Sequence, residues 1–402
     1  MAVAVRGETR ENSIESASVS VLEEKDAERV QQEVEEKIQK SLEFPEGPSL
    51  VEDEMTEKLW PKIAGTAARI IIAKKLGKEI LLRFHGDADG ISGAFAITDV
   101  LRAKAFQQNS AVYSVRDALR DISTIGQEGK AVVILLDFAS NNASLEAISL
   151  LKAAGLEVLI IDHHPPGDRN NGEMLNPAAY SPEGSKYPAG YLACEIAIAC
   201  GMEKDMARKL AGIACAGDKS PLFGMEKEDV EKAMVLDFLA AHISYGNNLS
   251  FYRKVMKNES LFSSIARQAE ESIDEATQKA LAKEKTDEGA VRIISFPLEG
   301  IVKKGEWPPA GKITTSVFEK EKDGPLVCIG HTERSLILRI STGAVDMGLS
   351  ANELAGGIME SMPDFVEGGG GHAKAGAIRT RAGFAKDVLN ELIRRIKEKR
   401  KV

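Results

Sequence analysis

Carboxylate and imidazole side chains recur in this chain where an apolar run stops. Ile80-Leu-Leu-Arg-Phe84 runs into His85-Gly-Asp87-Ala-Asp89-Gly90, and Val132-Val-Ile-Leu-Leu136 runs into Asp137. Glu157-Val-Leu-Ile-Ile161 delivers Asp162-His163-His164-Pro165, and Gly212-Ile-Ala-Cys-Ala-Gly217 ends at Asp218. If these ends converge, Asp87, Asp89, Asp137 and Asp218 repel one another, and some must take up protons at neutral pH. Two divalent cations cancel that charge. Imidazoles from His85 and His163 then complete a mixed oxygen and nitrogen shell, which suits manganese first and magnesium second. Each piece alone has a plainer reading: His-x-Asp-x-Asp-Gly as a turn capping a helix, Asp137 as an N-cap, Asp218 as the start of a turn, the histidine pair as solvated. Their common position at strand ends points to a dinuclear site. His242 has no such company and reads as structural.

A second signal lies near the C-terminus, in Gly368-Gly-Gly370-Gly371-His372-Ala-Lys374-Ala-Gly376. Successive glycines let backbone N–H groups approach an anion closely, and the adjacent imidazole adds a donor. A flexible turn is the alternative. The run Arg394-Arg-Ile-Lys-Glu-Lys-Arg-Lys401 either extends a basic groove or places cations at a helix C-terminus, where they are favoured in any case.

The elements that must hold these residues follow from periodicity. From Glu79 to about Leu222, β-branched runs alternate with helical patterns, which predicts βαβ units and a parallel sheet whose C-terminal edge carries the site. Helices are expected over Ile91 to Ala105 and Ser144 to Ala154, with a strand at Ala111 to Val115. Upstream, Val30, Val34, Ile38 and Leu42 form a narrow helical stripe closed by Pro45-Glu-Gly-Pro48, and a helix from Glu54 to Lys75 stops at Gly77. Residues 1–20 show no periodicity and are expected to be disordered. Helical periodicity dominates from Glu226 to about Glu284. A β-rich pattern then begins at Ala290, with strands at Leu326 to Gly330, Ser335 to Ser341 and Ala375 to Thr380. A short helix near Ala351 and an amphipathic last helix complete it.

Taken together, these motifs resemble the DHH phosphoesterase superfamily, and within it the RecJ-like single-strand exonucleases and related oligoribonucleases. His85-Gly-Asp-Ala-Asp-Gly90, the strand ending at Asp137, Asp162-His163-His164, and Gly217-Asp218 followed by Pro221-Leu222 carry the likeness. The resemblance implies one cation on His85, Asp87 and Asp137 and another on Asp89, Asp137, His163 and Asp218, with Asp137 the bridge. It implies in-line hydrolysis of a phosphodiester by water that the cations acidify. His164 is then the candidate for orienting the phosphate or protonating the leaving group, and Asp162 the residue behind it. The segment from Leu338-Arg339-Ile-Ser341 to the glycine run is similar to the DHH-associated C-terminal domain. That likeness implies that Arg339, Ser341, Gly369, Gly370, Gly371 and His372 bind substrate. The family's Ala-Ala-Gly ending stands here as Ala375-Gly376-Ala377, a departure.

The expected fold is α/β: an N-terminal extension (residues 1–53), a parallel-sheet DHH domain (54–225), a helical connector (226–289) and a smaller α/β substrate-binding domain (290–402). At 402 residues, 43% hydrophobic and 28% charged, the chain has the composition of a soluble globular protein. No apolar run approaches the length of a bilayer span, and the polar start is unlike a signal peptide, so a cytoplasmic location is expected and no membrane partner. The four cysteines form no C-x-x-C pair and read as buried thiols. A net charge of −9 excludes a wholly basic nucleic-acid coat. The function expected is a metal-dependent exonuclease on single-stranded DNA or RNA. The alternatives are a phosphodiesterase or phosphatase for short oligonucleotides, cyclic dinucleotides or nucleoside bisphosphates, and a non-catalytic replication or repair subunit. A replication or repair partner would dock on the N-terminal helices.

Overall fold

The structure is a computed structural model that describes residues 3–10, 13–125, 131–167, 174–243, 249–303 and 305–399. The chain divides into two compact units, with the boundary inside one helix at Ala233/Met234.

In the first unit, β1 (Val3–Arg10) pairs antiparallel with β2 (Ser13–Val21). The disorder expected for residues 1–20 is therefore corrected. The valines, isoleucine and threonine of this segment favour strands even though they do not alternate strictly. Next come α1 (Glu24–Lys40) and α2 (Glu54–Lys75), the latter followed by Gly77 at φ +65°. Asp53 starts α2 through a reciprocal capping box with Thr56.

The core of this unit alternates β3 (Glu79–His85), α3 (Ala88–Val100), β4 (Lys104–Gln108), α4 (Val115–Ile125), β5 (Ala131–Leu136), α5 (Leu145–Ala153), β6 (Glu157–Ile161) and β7 (Met174–Leu175). The strands pair in parallel, in the order β4-β3-β5-β6-β7. β5 lies at the centre with all six residues buried, as an unbroken β-branched run must in a sheet covered on both faces. Leu81, Val133, Leu135, Val158 and Ile160 face one layer with Ala147, Ile148 and Leu151 of α5. On the other side α3 packs against α6 (Ala189–Ala199) and α7 (Lys204–Gly217).

Two expectations fail in this sheet. The helix expected to reach Ala105 ends at Val100, and the strand expected at Ala111 to Val115 lies instead at Lys104–Gln108. That strand is an edge of the sheet, and its buried Gln107 and Gln108 break the apolar pattern that would have marked it. The apolar pull of 111–115 comes from Tyr113, which is buried on Asp121 in a loop.

The second unit begins within α8 (Lys227–His242) and continues through α9 (Leu249–Lys257) and α10 (Glu259–Leu281). It is built on a six-stranded mixed sheet. Its elements are β8 (Lys285–Asp287), β9 (Arg292–Pro297), α11 (Ala310–Glu321), β10 (Leu326–Thr332), β11 (Ser335–Ile340), α12 (Thr342–Asp346), α13 (Ala351–Ser361), β12 (Val366–Gly371), β13 (Ala375–Thr380) and α14 (Ala385–Lys399), with strand order β12-β13-β11-β10-β9-β8. Leu336, Leu338 and Ile340 alternate into a core closed by α13 and α14, while α10 and α11 cover the opposite face through Ala276, Ala280, Ile313 and Val317, packed with Phe296 of β9. The glycine run, expected as a loop, is the edge strand β12 paired to β13. Only Gly371 is locked by its backbone: at φ +145°, a Cβ there would meet the Ala375 carbonyl oxygen at 2.2 Å. Arg394 and Arg395 bond to Glu391, and Lys397 pairs with Asp287, so helix-end pairing accounts for this part of the basic run. Arg400 and Lys401 lie outside the described residues. Among the described residues no helix is long and apolar enough to cross a membrane.

Candidate metal centre

Four connections place the site at the C-terminal edge of the parallel sheet. After β3, the chain turns from His85 through Gly86 and Asp87, and the Asp87 carboxylate caps α3 through the Gly90 N–H at 3.0 Å. Gly90 is obligatory here, because a Cβ would lie 2.3 Å from the His85 carbonyl oxygen. After β5, the chain turns through Asp137 at φ +68° and Ala139 at φ +79°. Aspartate tolerates that left-handed conformation better than most residues, and it turns the Asp137 carboxylate inward. After β6 comes the Asp162-His163-His164 segment, and after α7 comes Asp218 with Lys219 at φ +55°.

These ends meet. Ligand atoms of His85, Asp87 and Asp137 lie within 4.8 Å of one another, as do those of Asp89, His163 and Asp218, and those of Asp137, His163 and His164. His85 Nδ1 is 2.6 Å from Asp87 Oδ2 and 3.4 Å from Asp137 Oδ2. His163 Nε2 is 3.0 Å from Asp218 Oδ2, 3.4 Å from Asp137 Oδ1 and 3.7 Å from Asp89 Oδ2. Asp137 belongs to both halves, being 1% exposed, and among the described residues its Oδ1 accepts no hydrogen bond.

The second ring of contacts sets orientation. His163 Nδ1 donates to the Ser185 carbonyl at 2.9 Å, which fixes the proton there and turns the Nε2 lone pair toward the carboxylates. Asp89 is held by two backbone amides at the start of α6, Ala189 N–H at 2.9 Å and Gly190 N–H at 2.8 Å. Asp162 stands behind the two histidines. Its carboxylate accepts from the N–H groups of Ser140, His163 and His164 and from His164 Nδ1, tying the β5 and β6 connections together. Buried Asn176 donates to the His164 carbonyl at 2.9 Å. His164 is about half exposed.

Electrostatics mark the pocket as short of positive charge. Burial and the neighbouring carboxylates, Asp137 and Asp218 foremost, push Asp89 well above the usual carboxylate range, and burial with Asp87 raises Asp137. Burial opposes charge on His85 and His163, but the acids around them outweigh it and raise both. Burial also opposes ionisation of Asp87 and Asp162, yet His85 and His164 respectively hold them below the usual range. Protons thus do the neutralising that a cation would do. The donor set, the unpaired Asp137 oxygen and the directed His163 lone pair fit a divalent metal.

In the second unit the expected substrate residues divide. Arg339 donates to the Thr315 hydroxyl and the Leu338 carbonyl, keeping part of its fork unspent, while His372 stands exposed at the tip of the β12–β13 hairpin. Gly369, Gly370 and Gly371 lie in β12, and a Cβ at Gly370 would meet nothing within 4 Å. Ser341 has other work: its hydroxyl donates to the Gly324 carbonyl and accepts from the Leu326 and Ala344 N–H groups. It ties β10 to the start of α12.

Sequence reasoning missed Ser140, Asn176, Ser185 and Gly190, because three of them act through backbone groups or from far along the chain. A small residue after Pro188 at a helix start was the one available signal.

Residues 79–217 match the model of the DHH family, N-terminal domain. An uncharacterized protein of Methanocaldococcus jannaschii is 25% identical over 96% of this chain, and the chain spans about 60% of that relative's length. Among solved structures, the DHH domain of a protein described as belonging to a family of ribosomal proteins has a TM-score of 0.75 at 24% identity, covering 92% of this chain and 98% of that one. RecJ from Thermus thermophilus, in complex with Mn2+, has a TM-score of 0.58 at 16% identity over 88% of this chain and 56% of its own.

Proposed function

We propose that this chain, whose residues 79–217 match the N-terminal domain of the DHH family, is a RecJ-like, metal-dependent phosphoesterase that removes nucleotides from the ends of single-stranded DNA or RNA. The observation that carries this reading is the convergence of His85, Asp87 and Asp137, and of Asp89, His163 and Asp218, around one shared carboxylate. In this reading the two groups hold two divalent cations, manganese by preference, with Asp137 between them. When bound, the cations supply charge neutralisation at the phosphate and a more acidic attacking water.

The chain's own residues do the rest. Asp162 holds His164 Nδ1 and raises the imidazole's pKa, so that Nε2 keeps a proton to give to the leaving oxygen. Asp162 itself is a positioning residue. In the second unit Arg339 and His372 offer donors to backbone phosphates, and β12 offers a side-chain-poor strand beside them.

The deciding experiment is a manganese titration with end-labelled DNA and RNA of two, ten and thirty nucleotides. Release of mononucleotides from one end of the long strands is expected. With only 5% aromatic residues to stack bases, turnover confined to the two-nucleotide substrate would move the assignment to a short-substrate phosphodiesterase. No turnover of any length would overturn it.

A further inference from the structure

Residues 185–190 run from the end of a 3-10 turn (Pro182–Lys186) into the first residues of α6, and this segment touches the support of three cluster residues at once. The Ser185 carbonyl receives His163 Nδ1–H. The Lys186 carbonyl receives the Ser220 hydroxyl at 2.5 Å, which ties down the turn that follows Asp218. The Ala189 and Gly190 N–H groups hold the two oxygens of Asp89. His163, Asp218 and Asp89 are the members of one of the two proposed cation groups. None of these bonds reaches His85 or Asp87.

The segment is anchored in turn from outside the family-matched region. Tyr187, 2% exposed, donates its hydroxyl to Asp53 Oδ2 at 2.7 Å, and Asp53 is the residue that starts α2. Buried Glu195 adds a second tie, accepting the Ser49 and Leu50 N–H groups at 2.9 and 2.8 Å. The stretch before α2 is thereby fastened both to the segment that carries these supports and to the helix that follows it.

We infer that Tyr187 and Asp53 are positioning residues that set cation affinity at the Asp89–His163–Asp218 group and leave the His85–Asp87 side alone. The inference rests on the metal-dependent reading given above. Removing the Tyr187 hydroxyl frees the middle of the segment, so the Ser185 carbonyl and the Ala189 and Gly190 amides lose their register with His163 and Asp89. Loss of an outer partner of a metal ligand weakens binding by roughly ten- to a hundredfold.

Manganese binding to the full chain by calorimetry tests this in wild type, Tyr187→Phe, Asp53→Ala and the double variant. Expected are two binding steps in wild type and, in each single variant, about tenfold weakening of one step with the other unchanged. The double variant should be no weaker than either single one, because both changes break one bond. Thr56→Val serves as the control: it loosens the same helix start, keeps the Tyr187 bond and should leave both steps in place. Two wild-type steps that Tyr187→Phe does not alter, or that Thr56→Val weakens equally, would overturn the brace. No manganese bound by wild type would instead bring down the metal reading itself.

Discussion

Asp137 carries two burdens that pull on any substitution differently. Its carboxylate lies 3.4 Å from both His85 Nδ1 and His163 Nε2, and it sits at φ +68°. An alanine there removes the oxygens and also strains the turn, by roughly 1 kcal/mol, so a dead alanine variant would say little about the metal. Asparagine keeps both the size and the tolerance for positive φ. Asp137→Asn is therefore expected to melt near the wild-type temperature while losing hydrolysis by about a thousandfold or more, the kinetic equivalent of about 4 kcal/mol of lost charge stabilisation. Turnover within tenfold of wild type, measured at saturating manganese, would remove Asp137 from the reaction. At this scale the sequence was informative wherever chemistry resides in a side chain at a strand end. It was silent on Ser185 and Ala189, whose contribution is a carbonyl and an N–H that every residue has. It did not reveal that the Ser341 hydroxyl also ties β10 to the start of α12.

At the scale of elements, periodicity located the buried strands and the long helices because burial on both faces leaves an unbroken apolar run. It failed where polar residues or glycines interrupt the apolar run: the edge strand Lys104–Gln108 and the glycine strand β12. The contact of α3 with α6 shows a further kind of information that spacing cannot give. Gly93 faces Gly190 so closely that a Cβ on Gly93 would lie 2.9 Å from the Gly190 Cα, and a Cβ on Gly190 would lie 2.6 Å from the Asp89 carbonyl oxygen. Backbone cannot step aside as a flexible tip can. Gly93→Ala should thus cost about 1–3 kcal/mol in urea unfolding and should weaken manganese binding as well, since the same contact sets the height of the Ala189 and Gly190 amides over Asp89. Unchanged stability would show that the two helices can separate without loss. A gentler probe is Asp53→Ala at the start of α2, expected to cost about 1 kcal/mol. Burial works against the Asp53 carboxylate, but the Tyr187 and Thr56 hydrogen bonds hold its pKa below the ordinary value. Its contribution is accordingly present above about pH 4 and lost as pH falls through the lowered folded value. The stability gap between wild type and Asp53→Ala should close on acidification; a gap that widened would refute the cap's electrostatic part.

For the whole molecule, two units with separate cores predict two unfolding steps, of which only the first unit's should answer to metal. A ligand at a hundred times its Kd adds about 2.7 kcal/mol to the state that binds it, enough to move the melting point of a unit this size by several degrees. The pH sign follows from the cluster. In the metal-free fold, Asp89 and Asp137 hold protons that the unfolded chain has released, and His85 and His163 stay charged where unfolded histidines do not. All four bind more protons folded than unfolded, so the metal-free unit loses stability as pH rises through their raised values. A cation replaces those protons and competes best when they are scarce. The manganese-induced shift of the first transition should therefore grow between about pH 5 and pH 8, while the second transition stays put. The low values of Asp87 and Asp162 act in more acid solution, outside that window. Scanning calorimetry at several pH values, with and without manganese, reads both transitions directly. A shift that shrank toward pH 8, or one shared by both transitions, would mean that the cation acts somewhere other than the Asp137 cluster.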